Sequence, residues 1–194
     1  MILHILCIAY ERPIETSGFI ASILAQSCLD WRMTIVHDGQ ASPEFKRVID
    51  FYPDPRINFI ETEVRQGNWG HENRKIFLQL INGQPSDFVL ITNNDNYYTP
   101  HFIKYMFRVV KPGVKMVFCD FLHHNIEHRV LKAFPKVNHI DMGAFFVEIK
   151  LAQQIGFTHD EPASDGIYAE ECYAEIRKRG FQAAYIDIPL FVHN

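Results

Sequence analysis

The chain has 194 residues, 47% of them hydrophobic, enough for one sizeable core and too few for two full domains. A formal charge of -4 excludes a dedicated nucleic-acid binder, whose phosphate contacts need a net basic face, so no nucleic-acid partner is expected. Apolar runs such as Phe88 to Thr92 and Met116 to Cys119 fall far short of the roughly 20 residues that span a bilayer, so no transmembrane segment is expected either.

Met1-Ile2-Leu3-His4 carries neither a basic leader nor a cleavage site and reads as the approach to a buried strand, which points to a cytoplasmic protein. Ile2 to Ala9 is an apolar run of strand length, and Ile14 to Cys28 follows with Phe19, Ile20, Ile23 and Leu24 at helical spacing. Met33 to His37 repeats the strand signal and stops at Asp38-Gly39, a loop dipeptide, before a short polar helix from about Pro43 to Phe51. Asn58 to Glu61 is a third predicted strand. Glu72 to Ile81 is a predicted helix with Ile76, Phe77 and Leu80 on one face, and Asp87 to Thr92 a strand that ends at Asn93.

After Pro100 the alternation loosens. Lys115 to Asp120 and Gly143 to Glu148 read as strands, separated by an irregular stretch rich in His and Asn. Leu151 to Ile155 and Ile167 to Arg179 read as helices, and Ala183 to Ile188 as the last strand. Strands alternating with helices need crossover connections, which predicts the α/β class: a mainly parallel sheet covered by helices on both faces, in a single domain over 1-194. Cys7, Cys28, Cys119 and Cys172 form no CxxC pair and read as reduced core thiols.

Open α/β sheets bind ligands outside the carboxyl ends of their strands, where four polar loops begin here. The most informative is Leu90-Ile91-Thr92-Asn93-Asn94-Asp95-Asn96-Tyr97-Tyr98-Thr99-Pro100. An apolar strand that runs into acid and amide side chains delivers hard oxygen ligands to the sheet mouth, as Mg²⁺ or Mn²⁺ bridging a diphosphate requires. An Asn/Asp-rich turn that only closes a strand has the same composition.

This run resembles the Asp-x-Asp segment of family-2 glycosyltransferases. Aligned through Tyr97 and Pro100, the two acids fall on Asn93 and Asp95, with Asn94 between them and Asn96 after. The first acid is therefore an amide, which gives up charge toward a metal. Three further segments resemble the same family. Ile8-Ala9-Tyr10-Glu11-Arg12-Pro13 is similar to its opening strand and turn, which implies Ala9, Tyr10 and Arg12 at the nucleotide, with Tyr10 against the base. Thr34-Ile35-Val36-His37-Asp38-Gly39 resembles a strand ending Asp-Asp-Gly-Ser, with His37 in place of the first Asp; Asp38 is the position that would accept a hydrogen bond from a uracil imide. Gln66-Gly67-Asn68-Trp69-Gly70-His71-Glu72-Asn73-Arg74-Lys75 resembles the Asn-x-Gly and Arg-Asn stretch, which implies Asn68 at the nucleotide and Arg74 or Lys75 at the diphosphate.

The resemblance implies a GT-A fold: a Rossmann-like nucleotide-sugar-binding half over 1-100, and an acceptor-binding half over 101-194 with a small mixed sheet. It implies metal-dependent, inverting transfer from a nucleotide-sugar, a UDP-sugar above others, to a hydroxyl of a carbohydrate or glycan acceptor. Inversion needs a carboxylate base. Ser164-Asp165-Gly166-Ile167-Tyr168-Ala169-Glu170-Glu171 resembles the family's acidic segment before a helix, and the role is open among Asp165, Glu170 and Glu171. Asp165 also suits a helix N-cap. His193, after an apolar strand, matches a C-terminal metal-ligating His of GT-A enzymes, beside Asp95. Asp120 and His123 are candidates for the acceptor cleft, with Met142 and Gly143 in a Met142-Gly143-Ala144 segment whose small residues let a sugar lie near the backbone. His123, His124 and His128 offer i, i+4 spacing, but not in the order of a zinc-protease helix. A sugar-nucleotide nucleotidyltransferase would carry a Gly-rich basic loop where Tyr10-Glu11-Arg12-Pro13 stands, and a dehydrogenase would carry GxGxxG there. The Asn93 amide leaves open a binding module without catalysis.

Overall fold

A computed structural model describes residues 1–127 and 129–194. Strands β1 (Leu3–Ala9), β2 (Trp31–His37), β3 (Ile57–Glu61) and β4 (Phe88–Asn93) are joined by helices α1 (Pro13–Leu24), α2 (Pro43–Phe51) and α3 (His71–Leu80). Each begins and ends within a few residues of its predicted limits. The second half holds β5 (Tyr97–Tyr98), α4 (Phe102–Arg108), β6 (Val114–His123), β7 (Arg129–Leu131), β8 (Phe145–Glu148), α5 (Ile149–Ile155), α6 (Ser164–Lys178) and β9 (Gln182–His193). Among the described residues the strands form one nine-stranded sheet in the order β3-β2-β1-β4-β8-β6-β9-β5, with β7 paired to β6.

The chain moves outward from β1 to β2 and β3, then returns to place β4 on the other side of β1. That reversal is a topological switch point, where the loops after β1 and β4 part and leave a crevice at the strand ends. Parallel pairing fixes its rim: Ala9 lies level with His37, and Ile8 with Asn93. Beyond β4 the sheet is mixed. β8 pairs antiparallel with both β4 and β6, β9 parallel with β6, and β5 antiparallel with β9. The mixed part continues the parallel one and is not a separate small sheet.

The core fills both faces with buried Leu, Ile, Val and Phe, from Leu3, Ile5 and Leu6 on β1 to Phe145, Phe146 and Phe191 on β8 and β9. α1 ends at Leu24, earlier than its apolar spacing predicts, because the buried Gln26 side chain leaves the helix to donate to Thr99 O (2.7 Å) and accept from Ile103 N (3.1 Å). That clasp fixes the start of α4, a short helix with Phe102, Ile103 and Met106 buried. α3 turns a different face inward from the predicted one: His71, Asn73, Arg74 and Leu78 are buried, while Ile76 and Leu80 are exposed. An apolar-periodicity argument fails where polar groups are buried for a purpose. β9 runs past Ile188 to His193, because Pro189, with no N–H to donate, sits at a register shift opposite Asp120. All four cysteines are free. Among the described residues no helix is long and apolar enough to cross a membrane.

Candidate active site

A cavity of about 590 Å³ opens at the switch point, lined from the β1, β2 and β4 ends and from the loop between β3 and α3. Of the expected nucleotide-binding residues, Ala9, Tyr10, Arg12, Asp38, Asn68, Asn93, Asn94 and Asp95 line it. Arg65, Gly67, Trp69 and Gly70 line it too. Arg74 does not reach its surface.

The backbone around the cavity is bent away from ordinary conformations. Glu11 and Arg12 have φ of 50° and 60°, and Asn68 and Trp69 of 47° and 52°. Non-glycine residues hold such conformations only where neighbours dictate them. At Glu11 the neighbour is His37, which replaces the family's first Asp. Its Nε2 accepts from Glu11 N (3.1 Å), while Nδ1–H donates to Gly39 O (2.9 Å), so this buried ring ties the β1 loop to the β2 loop. Asn94 secures the same turn, donating to Glu11 O (2.8 Å) and Thr16 Oγ1 (2.7 Å); its amide nitrogen is committed to the fold. The 65–70 loop is held by Asp38, whose carboxylate accepts from Gln66 N and Gly67 N (both 2.8 Å) and from Asn73 Nδ2 (2.9 Å). Gly70 is required where that loop meets the sheet: its φ is 78°, and a Cβ there would lie 2.4 Å from Ile8 Cγ2.

On the open side of the cavity the Arg65 guanidinium lies 3.7 Å from the centre of the Tyr10 ring, which is half exposed. Arg12 Nη1 donates to Asp95 Oδ2. Burial raises the Asp95 carboxyl above its ordinary value, and Arg12 works against that rise. Asn68 Nδ2 reaches Asp160 O (3.4 Å), joining the 65–70 loop to the segment before α6.

Beneath the cavity Arg74 is almost fully buried, and its guanidinium joins the two halves. Nη2 donates to Asn93 Oδ1 (2.7 Å), while Nη1 donates to His71 Nδ1 (2.7 Å) and lies 3.4 Å from Asp165 Oδ1. His71 therefore carries its proton on Nε2. Its pKa is lowered, by burial first and then by Arg74. Asn93 is thus an uncharged acceptor for a buried cation, and Lys75 is exposed beside Glu72 (3.5 Å). The three acids of α6 part ways. Asp165 faces Arg74 and is about a quarter exposed, Glu170 accepts from Val137 N (3.4 Å) at the surface, and Glu171 pairs with His159 Nε2 (2.9 Å). No side-chain cap is formed at the start of α6, so Asp165 is not its N-cap.

Asp141, absent from the sequence-based candidates, sits against this group. It accepts from Gly143 N (2.9 Å), lies 3.3 Å from His193 Nε2, and is pushed up to about 7 by burial and then by Asp165. His193 is pushed down to about 4, by burial and then by His123 and His124. β9 pairs with β6 so that His193 stands opposite His123, and His124 follows. One nitrogen from each of these three rings lies within 4.8 Å of the others. Asp95 is in electrostatic reach of His124. Imidazole nitrogens are donors for a first-row transition-metal ion, and a carboxylate oxygen suits Mn²⁺. His128, the remaining member of the i, i+4 pattern, lies outside the described residues.

Three acceptor-cleft candidates have different surroundings from those expected. The fully buried Asp120 carboxylate is spent within the fold, accepting from Lys132 Nζ (2.7 Å), Ala133 N (3.0 Å) and Tyr185 OH (2.7 Å). Met142 is a core residue. A Cβ on Gly143 would lie 2.5 Å from the Phe191 ring, so its missing side chain makes room for a core aromatic and not for a sugar.

A search of curated proteins finds no sequence match. Solved structures do resemble the chain. The structure of S. aureus TarS 1-349 in complex with UDP superposes with a TM-score of 0.80 at 13% identity, over 100% of this chain and 60% of that one. The same protein in complex with UDP-GlcNAc gives 0.78 at 12% identity, over 100% and 58%. The mannosyltransferase PcManGT from Pyrobaculum calidifontis, in complex with GDP-Man and Mn²⁺, gives 0.74 at 15% identity, over 98% and 56%. The chain thus spans well under two thirds of these proteins, and at such identity the likeness speaks for the fold. In sequence, the profile described as Glycosyl transferase family 2 matches residues 5–157. With that match over most of its length and a GT-A architecture around the cavity, the chain belongs to glycosyl transferase family 2.

Proposed function

We propose that the chain transfers a sugar from a nucleoside diphosphate sugar, with UDP as the preferred nucleotide, to a hydroxyl of a carbohydrate acceptor, with inversion at the anomeric carbon. The observation that carries this reading is the switch-point cavity lined by Tyr10, Arg12, Asp38 and Asp95 in a family 2 chain. Tyr10 and the Arg65 guanidinium offer a stacking surface to the base. The Asp38 carboxylate accepts three hydrogen bonds within the fold and has about four lone-pair sites, so it can still accept from an imide N–H. Arg12 supplies charge toward the diphosphate from the rim.

Asp95 and His193 would hold a divalent ion, Mn²⁺ or Mg²⁺, which when bound neutralises the diphosphate as it leaves. Asp165 acts as general base. It takes the proton of the acceptor hydroxyl while the new oxygen–carbon bond forms and the bond from the anomeric carbon to the phosphate oxygen breaks, releasing the nucleoside diphosphate. Arg74 orients Asp165 from one side and Asn93 from the other, so the base is registered to the donor loop. Activity is tested by incubating the chain with UDP-, GDP- and dTDP-sugars, with and without acceptor oligosaccharides, and measuring nucleotide release. Release from one nucleotide class supports the reading; none from any overturns it as a statement about catalysis. Binding without turnover would favour a nucleotide-sugar-binding module, the reading to which the Asn93 amide lends weight.

A further inference from the structure

We propose that His123, His124 and His193 together form a nitrogen-rich centre for a transition-metal ion, with Asp141 setting the His193 ring toward it. The inference rests on the metal-assisted transfer proposed above and adds two ligands, a positioning carboxylate and an ion preference to it.

The three imidazoles meet because of strand register. β6 ends at His123 and β9 at His193, paired side by side, and the chain turns at once into the short helix that begins with His124. Ring centroids lie 4.3 Å apart for His123 and His193, and 5.4 Å for each pair involving His124. One nitrogen from each ring falls within 4.8 Å of the others. Tetrahedral ligation at ordinary zinc–nitrogen distances needs nitrogens about 3.4 Å apart, so ligation requires the stacked rings to turn toward a common point.

His193 separates a ligand set from a mere stack of rings. Its Nε2 faces Asp141 Oδ2 at 3.3 Å, while its Nδ1 is buried with no hydrogen-bond partner among the described residues. A ligating histidine has this form: one nitrogen held by a carboxylate, the other presenting its lone pair. Asp141 is itself fixed by Gly143 N at 2.9 Å. An orphaned buried nitrogen is costly unless something fills its site, and a metal ion does so without demanding another donor from the protein. Asp95, bonded to Arg12, lies in electrostatic reach of His124 and adds negative charge near the three rings. Mg²⁺ prefers oxygen and keeps its waters, whereas imidazole favours the later first-row ions, so this centre selects Co²⁺ or Zn²⁺ over Mg²⁺.

The test uses the full chain, stripped with a chelator and titrated with Co²⁺, Mn²⁺ and Mg²⁺ without nucleotide, followed by calorimetry and by the visible absorption of bound Co²⁺. Wild type should bind Co²⁺ at least tenfold more tightly than Mg²⁺, with a visible spectrum distinct from hydrated Co²⁺. His124→Ala is the cleanest variant because that residue is exposed. It, His123→Ala and His193→Gln should each weaken Co²⁺ binding about tenfold or more and alter the spectrum, and Asp141→Asn should weaken it roughly tenfold to a hundredfold while keeping the ligands. Wild-type Co²⁺ affinity and spectrum in both His124→Ala and His123→Ala would overturn the proposal, leaving the rings as packing. So would the absence of binding by any ion to a chain that UDP still stabilises, a result that spares the nucleotide-sugar reading.

Discussion

The two halves of the sheet solve one problem in opposite ways. In the first, parallel strands end together and each loop starts at the rim, so Tyr10, Asp38 and Asp95 reach one cavity from neighbouring strand ends. In the second, strands run both ways and groups from distant segments meet: Asp141 beside His193, His193 opposite His123 by strand register, and Asp165 on α6 against Arg74 on α3. A parallel half builds a site from local sequence; a mixed half builds one from pairings between distant segments. The buried Arg74 guanidinium, touching both Asn93 and Asp165, couples the two.

The comparison breaks most visibly at the base. If the second half supplies it through Asp165, Asp165→Asn should preserve donor affinity and lower transfer by about a hundredfold to ten-thousandfold, roughly 3 to 5 kcal/mol in the barrier, while Glu170→Gln and Glu171→Gln stay near wild type. Steady-state kinetics with separate donor binding checks this; a dead Glu171→Gln beside an active Asp165→Asn would hand the role to Glu171. Next in size is a test of the first half's rigidity. Gly70→Ala adds a methyl 2.4 Å from Ile8 at positive φ, and should cost roughly 2 to 4 kcal/mol in denaturant unfolding. A near-neutral effect would mean that the 65–70 loop is not pinned against β1.

Much of this division was legible in the residues. The strands and helices of the first half follow from hydrophobic period, and eight of the nine expected nucleotide-binding positions line the cavity, Arg74 being the exception. The resemblance implies Arg74 or Lys75 at the diphosphate, whereas Asn93, His71 and Asp165 solvate Arg74 in the interior. Arg65 and Asp141 were missed for another reason: each matters through one distant partner, Tyr10 or His193, that no local pattern reveals. The short α4 and β5 were hidden by their length, and the end of β9 by Pro189.

Two smaller effects sharpen the contrast. Tyr10→Ala should weaken UDP binding by about 1 to 3 kcal/mol, the worth of one base–aromatic stack, with UDP titrations as the measure; unchanged affinity would move the base away from Arg65 and Tyr10. Asn93→Asp should raise stability by about 1 kcal/mol through a charged partner for Arg74 and leave Mn²⁺ affinity unchanged, as read by thermal unfolding and metal titration. Tighter Mn²⁺ binding would show instead that position 93 faces the ion.

The most direct measurement is the melting temperature of the chain with UDP, GDP and dTDP, each with and without Mn²⁺. A nucleotide cavity at the switch point predicts stabilisation by UDP that grows with Mn²⁺, about 2.7 kcal/mol at a hundred times the dissociation constant, a smaller shift in Tyr10→Ala and loss of the Mn²⁺ increment in Asp95→Ala. An unmoved midpoint with every nucleoside diphosphate and every ion would contradict the account at its centre.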